Sequence, residues 1–417
     1  MTTLQAEEER APSFLEMGLG EFLYYVAFTL YVLNFASVYT TFVEFLFVPV
    51  AVWHTIFQAA ILMLLFGKFM IQRASFRGWV VAASLVLIGF LSWKRSGEGW
   101  LFWLALFVVC ANGVRLRPLA CIVFAVFLAT IVVTVTFAGV GMIENRLSVR
   151  AGVARSAMGF THPNTLGLYL FVTCMAFSVM RFGKNPVPDL LMIAVADVIN
   201  LTAADSRTTV LLSAFQALLL IVFYCVRGEN GRRIARCCFV ALVVGLLLLS
   251  VYFMVCYNPS NSLHATINKV LSGRLRLAHG YYMMQPLTLL GSKFDGLPPI
   301  YYEDGAPKTF VVDNAWCHLI LRFGIIPALL FIAGFLVLFF RLLREKRWNA
   351  LLFGLVLMMV YGFSESFGIR FECNFFLYAL GSELLYSNHI EGLSGNGQLS
   401  AEMENGKAVH SYDGYQN

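Results

Sequence analysis

The feature that most constrains this chain is a succession of apolar runs, each near the length that crosses a bilayer. A span needs roughly 20 apolar residues, with a range of about 17–25. Candidate runs lie near 19–38, 42–66, 78–93, 100–114, 118–141, 164–181, 188–204, 208–226, 237–257, 314–340, 350–368 and 373–386. Those at 78–93, 100–114 and 373–386 are short, and the first two read either as crossings or as a re-entrant pair. Backbone in lipid must satisfy its own polar groups, so open runs of this kind form helices. The expected fold is an all-α polytopic membrane protein with about 12 transmembrane helices. Composition excludes a soluble globular domain, since 59% of the residues are hydrophobic, 13% are charged and mean hydropathy is +0.74.

Charge placement sets the expected orientation. With a cytoplasmic N-terminus, the inner connections carry Lys68, Arg73, Arg77, Arg115, Arg117, Arg181, Lys184, Arg227, Arg232, Arg233, Arg236, Arg341, Arg344, Lys346 and Arg347, in accord with the positive-inside bias. The opposite side holds Lys94 and Arg95, against that rule, and the two longest connections, about 142–163 and 258–313, the latter between spans 9 and 10. The net charge of +6 is thereby explained by membrane orientation and calls for no nucleic-acid partner. The chain divides into a cytoplasmic segment 1–18, a membrane domain 19–386 and a polar tail 387–417, expected to be disordered and cytoplasmic. Glu7, Glu8 and Glu9 precede the first run and no small-residue cleavage pattern follows, so no cleavable leader is expected.

The nine cysteines show neither CxxC nor zinc-like spacing and read as small core hydrophobes, with no metal expected. Trp79, Trp93, Trp100, Trp103, Tyr24, Tyr25 and Tyr257 flank apolar runs, as headgroup-level anchors do. No internal repeat is evident, and the long loop occurs in one half only, which counts against the inverted-repeat plan of many transporters.

Polar groups at the outer helix ends are the candidates for chemistry, because ionisable residues at membrane depth are costly. In Asp205-Ser206-Arg207-Thr208, Asp205 or Ser206 can cap the eighth span and leave Arg207 in its first turn, where the helix dipole favours an anion. Arg207 then either holds an oxyanion bidentately or snorkels to headgroups. The long loop brings Ser272-Gly273-Arg274-Leu275-Arg276, His279, Leu290-Gly291-Ser292-Lys293-Phe294 and Asp313-Asn314. Asp313 reads either as a proton acceptor for a hydroxyl or as a helix cap, and Asn314 as a cap or an orienting amide. Gly159-Phe160-Thr161-His162-Pro163-Asn164 precedes the sixth span, and His162 is either a sugar or phosphate contact or a structural residue. Arg146, Arg150 and Arg155 make the preceding loop basic, suited to an anionic lipid-linked substrate and equally to headgroups. Arg322, Glu365, Arg370 and Glu372 are expected to pair with one another.

In order, spacing and sidedness, G-F-x-H-P-N (159–164), D-S-R-T (205–208), S-G-R-L (272–275), L-G-S-K-F (290–294) and D-N (313–314) before Arg322-Phe323-Gly324 resemble the bacterial O-antigen ligase and polysaccharide polymerase superfamily, whose polymerases are often called Wzy. The resemblance covers roughly residues 150–325. It implies a GT-C-like glycosyltransferase, independent of metal or other cofactor, acting on undecaprenyl-diphosphate-linked oligosaccharide at the outer face of the bacterial plasma membrane. Arg207 and Arg274 match the arginines that hold the lipid diphosphate, and Asp313 takes the position of the ligase histidine, a departure that leans towards polymerase. His162, Asn164, Arg155, Arg276, His279 and Asn314 are the expected substrate-binding residues. A flippase and a chain-length regulator of the same pathway are the implied partners, beside the lipid bilayer. Two other readings are a ligase that moves finished glycan to another acceptor and a lipid-linked oligosaccharide flippase or transporter, for which Asp197 and Asn200 offer polar groups within a span.

Overall fold

A computed structural model describes residues 17–45, 49–72, 75–150, 153–295, 297–298, 300–301, 307–308 and 312–386. The N-terminal residues 1–16, the expected disordered tail from 387, and Arg73 lie outside the described residues. Helices α1 (Leu19–Val38), α2 (Val50–Ile71), α3 (Phe76–Ser96), α4 (Trp100–Val109) and α5 (Leu116–Gly139) come first. A short hairpin, β1 (Leu147–Arg150) with β2 (Val153–Ser156), leads into α6 (Pro163–Met180). α7 (Val187–Ile199) runs on through a π turn, Asn200–Ala204, and is followed by α8 (Arg207–Cys225) and α9 (Glu229–Cys256). Next come α10 (Ser262–Val270), α11 (Arg274–Met284), the two-residue strands β3 (Ile300–Tyr301) and β4 (Pro307–Lys308), and α12 (Ala315–His318) with its π turn Leu319–Phe323. The chain closes with α13 (Ile325–Arg344), α14 (Ala350–Ser364) and irregular turns to Leu385.

Nine of the described helices are long and apolar enough to cross a membrane, and three further apolar segments are shorter: Trp100–Val109, Ala350–Ser364 and Phe375–Leu385. The chain is thus an all-α polytopic protein of multi-pass membrane type. Its outer surface agrees, because α2 leaves Ile56, Met63, Phe66 and Met70 exposed, which lipid solvates and water does not. α6 and α14 are instead enclosed on nearly every side.

Two expectations are corrected, at residues 78–93 and at residue 314. The run at 78–93 is part of a full-length helix, Phe76–Ser96, packed as a hairpin on the short α4 through Trp93 stacked on Phe102. Within the connection 258–313, α10 and α11 occupy the first half. The span expected from residue 314 begins only at Ile325, since Gly324 (φ 94°, ψ 170°) breaks the chain direction after the π turn. The cysteines also divide: Cys110, Cys174, Cys317 and Cys373 are buried, whereas Cys225, Cys237, Cys238 and Cys256 lie on the outer surface.

The bundle has two chemically distinct ends. At one, Phe223 stacks on Trp348 and packs against Phe182, while Arg341 and Arg347 reach Glu383, so the connections after α6, α8 and α13 share one basic end. At the other, Thr41 bonds the Gly159 carbonyl at 3.0 Å and Arg370 reaches the Tyr39 hydroxyl at 3.2 Å. That second end gathers the motif residues.

Candidate functional site

Arg274 starts α11 after a reversal that takes two left-handed residues, Ser272 (φ 55°) and Gly273 (φ 85°), with the Gly273 N–H donating to the Asn268 carbonyl at 2.8 Å. The turn delivers Arg274 into the bundle, where its side chain is 9% exposed. Three groups receive its guanidinium. Nε lies 3.3 Å from Asp313 Oδ2, Nη1 donates to Thr208 Oγ1 at 2.9 Å, and Nη2 pairs with Glu365 Oε1. One cation therefore joins α11, the start of α8, the approach to α12 and the end of α14. Charges this buried persist only when paired and hydrogen-bonded, which is the arrangement found.

Asp313 owes its place to Asn314. The Asn314 Oδ1 accepts the N–H groups of Trp316 and Cys317, each at 3.0 Å, while its Nδ2 donates to Ser250 Oγ at 2.9 Å and to the Phe363 carbonyl at 3.0 Å. Both ends of this amide are engaged, so Asn314 caps α12 and fixes it to α9 and α14, and Asp313 is left to Arg274.

A second set of bonds shapes the turn that carries Arg207. Asp205 has φ 42°, and Asn200 holds the following residue from both sides, donating to the Ser206 carbonyl at 3.2 Å and accepting its N–H at 3.3 Å. Asn200 is thus committed to this turn. Ser206 occupies the cap position of α8, but its hydroxyl pairs with that of Thr209 at 3.0 Å and leaves the backbone N–H groups uncapped. Arg155, buried, donates from Nε to the Ala204 carbonyl at 2.7 Å and from Nη2 to Asn164 Oδ1 at 2.5 Å. Arg155 and Asn164 therefore tie the start of α6 to this turn. Arg207 itself points outward, its side chain 72% exposed, with Nε 3.8 Å from Asp205 Oδ1. The expected convergence of the two guanidinium groups is not shown: Arg274 is buried against Thr208, whereas the Arg207 side chain projects outward at the rim beside Asp205.

The remaining expected residues have local partners. His162 caps α6, its Nδ1 accepting the Asn164 N–H at 3.1 Å. The ring of His279 bonds the Met254 carbonyl at 3.0 Å through Nδ1, and Arg276 donates its backbone N–H to Asn268 Oδ1 at 3.1 Å. The expected four-membered ionic cluster is corrected: Arg370 pairs with Glu372 at 3.0 Å, but Glu365 belongs to Arg274 and Arg322 to Glu98. The reason is that Gly368 packs against Gly362, so the chain turns sharply after α14 and separates Glu365 from the residues that follow.

L-G-S-K-F and R-F-G lie against each other. Ser292 donates its N–H to the Arg322 carbonyl at 3.1 Å, and Ile325 and Ile326 donate to the carbonyls of Thr288 and Leu289 at 2.9 and 3.0 Å. Gly291 and Gly324 both have positive φ, and a β-carbon on either would lie within 2.5 Å of the opposite backbone.

Glu98 and His318 were not foreseen. Glu98 Oε2 accepts from Trp100 Nε1 at 3.1 Å and lies 3.3 Å from His318 Nε2, while Oε1 is 3.3 Å from Arg322 Nε. The available signal was a lone carboxylate in a Gly-Glu-Gly turn at a span end, where charges are rare. Burial opposes its ionisation, but the His318 ring, the Arg322 guanidinium and the Trp100 N–H together hold the Glu98 carboxyl at about 2. Because this lies below the ordinary 4.5, its stabilisation is complete above that pH and is lost as pH falls towards 2. Thermal unfolding of the wild type should thus weaken more steeply than that of Glu98→Gln between about pH 5 and 3. Parallel pH profiles would contradict the pairing.

Among the described residues, no group of three His, Cys, Asp or Glu side chains is arranged to hold a metal. Compared with protein-family models, curated proteins and solved structures, the chain matches none of them.

Proposed function

We propose that this protein is a GT-C-like polysaccharide polymerase, joining undecaprenyl-diphosphate-linked repeat units at the outer face of the bacterial plasma membrane without a metal ion. One observation carries the reading: the separate motifs that resemble that superfamily meet one another in pairs at the end of the bundle opposite the connections after α6, α8 and α13. Asn164 meets Arg155, which holds Ala204 beside Asp205; Thr208 meets Arg274; Arg274 meets Asp313; and Ser292 meets Arg322. Thr208, Asp313 and Glu365, which lie 66, 39 and 91 positions from Arg274, are thereby gathered around one buried cation.

A sugar on a lipid diphosphate is already activated, so the chain has to orient an acceptor hydroxyl and stabilise the charge that builds on the departing diphosphate. Arg274 offers a buried, fixed fork and Arg207 an exposed one beside Thr208 in the chain. A phosphate oxygen takes the Nη2 position now filled by Glu365, the more exposed of the two carboxylates. Asp313 accepts the proton of the acceptor hydroxyl, whose oxygen attacks the anomeric carbon. The bond to the diphosphate breaks, and the leaving group departs with the electron pair between the two arginines. The growing glycan is transferred en bloc, and by analogy with the superfamily the anomeric configuration inverts.

Purified protein given a lipid-linked repeat unit in chelator should lengthen it, and Arg207→Ala, Arg274→Ala and Asp313→Ala should each fail with membrane levels maintained. Long polymer from all three variants would end the proposal. Lysine at either arginine should also perform poorly, because a point charge does not reproduce bidentate geometry. A deletion strain that accumulates single repeat units supports polymerase, whereas full-length polymer retained on lipid identifies a ligase.

A further inference from the structure

The element that begins at Asp313 carries a second charged cluster further along. Arg322 lies nine residues beyond Asp313, in the π turn that continues α12. Its guanidinium is clamped over the Phe294 ring, 4.8 Å from the centroid, and faces Glu98 through Nε alone. That buried Nε has no hydrogen bond among the described residues, and none is made there by Nη1 or Nη2.

Lys293 is brought to the same place. Ser292 donates to the Arg322 carbonyl, and Gln285 fixes the segment from outside, donating to the Lys293 carbonyl at 2.9 Å and accepting from Ser292 Oγ at 2.8 Å. Both cations face the Gly97 turn: a β-carbon there would lie 3.9 Å from Arg322 Nη2 and 3.8 Å from Lys293 Cε. Lys94 and Arg95 are exposed on the adjoining helix end. The nearby acids are Glu98, already engaged by three partners, and the exposed Asp295. The patch is cationic, partly preorganised and not used by the donor chemistry.

We infer that Lys293 and Arg322 form a second anion site, which holds the diphosphate of the acceptor lipid. The inference rests on the polymerase reading, in which both substrates are lipid-linked. Two diphosphates cannot share Arg274, because like charges in contact repel. The acceptor hydroxyl must sit at Asp313, while its own diphosphate is attached at the opposite end of the repeat unit. A separation of nine residues along the element leaves room for such a unit when it contains more than one sugar. An arginine held by an aromatic face, with an exposed lysine beside it, suits the oxygens of a diphosphate.

The test uses the full chain in lipid nanodiscs titrated with farnesyl diphosphate, with inorganic pyrophosphate as a parallel probe. Two binding events are expected. Lys293→Glu, a change at an exposed side chain, should weaken one of them at least tenfold and leave the other within twofold, while Arg274→Lys should do the reverse. Arg322→Lys should match Lys293→Glu. Binding of the isoprenyl diphosphate alone identifies a lipid site, and equal binding of pyrophosphate identifies a site for the diphosphate group itself; either supports the inference. A single Arg274-dependent event unaffected by Lys293→Glu would overturn it and leave the polymerase reading intact. No binding dependent on Arg274 or Lys293 would overturn both.

Discussion

Arg274→Ala should destabilise the folded protein by about 3–5 kcal/mol, the cost of removing one partner from a buried ion pair, and on the proposed polymerase reading should also abolish glycan lengthening. The first effect follows because Asp313 and Glu365 would be left facing each other without their shared cation. Thermal unfolding in detergent measures it, and glycan length measures the second. The two losses should separate. Combining Arg274→Met with Asp313→Asn and Glu365→Gln removes the unpaired charges, so most of the stability should return while activity stays absent. Arg274→Lys should retain more stability than alanine, yet its single ammonium cannot reach Asp313, Thr208 and Glu365 along three directions. An unchanged unfolding midpoint in Arg274→Ala would mean that the three-way junction does not form.

Gly324→Ala is the other change expected to be severe. Its φ of 94° and ψ of 170° belong to a region that only glycine occupies readily, at a cost on the order of 1–3 kcal/mol for other residues. A β-carbon would in addition lie 2.4 Å from the Gly291 nitrogen, a distance that forces the two backbones apart. The bonds between Ile325 and Thr288, Ile326 and Leu289, and Ser292 and Arg322 would then open together. Loss of several kcal/mol should accompany faster amide exchange at residues 292, 325 and 326. Gly245→Ala is the matched control, because nothing lies within 4 Å of a β-carbon there and alanine is the better helix former by up to about 1 kcal/mol. Equal behaviour of the two variants would refute the close approach.

Much of the architecture was legible in the chain because lipid imposes a one-dimensional rule: apolar length sets a helix. The bounds expected for 19–38, 164–181 and 208–226 lie within a residue of Leu19–Val38, Pro163–Met180 and Arg207–Cys225. Reading failed where a helix is apolar and yet does not continue, as at Gly324, where contact with a loop more than 30 residues earlier in the chain dictates the break. It also failed for pairing partners. By sequence Glu365 is expected to pair within the set Arg322, Arg370 and Glu372, but Arg274, 91 residues away, takes it.

The sequence by itself determined that this protein is a bundle of apolar helices with its basic connections at one end, because hydrophobic length and charge act residue by residue. It also marked Arg274 and Asp313 as worth examining, since a charge beside an apolar span is costly unless used or paired. Only the tertiary structure decided that those two meet, that Asn314 is spent on capping, that Arg207 stands at the rim, and that Glu98 binds Arg322. An ion pair is chosen by distance and desolvation in three dimensions, and neither is written in the order of the residues.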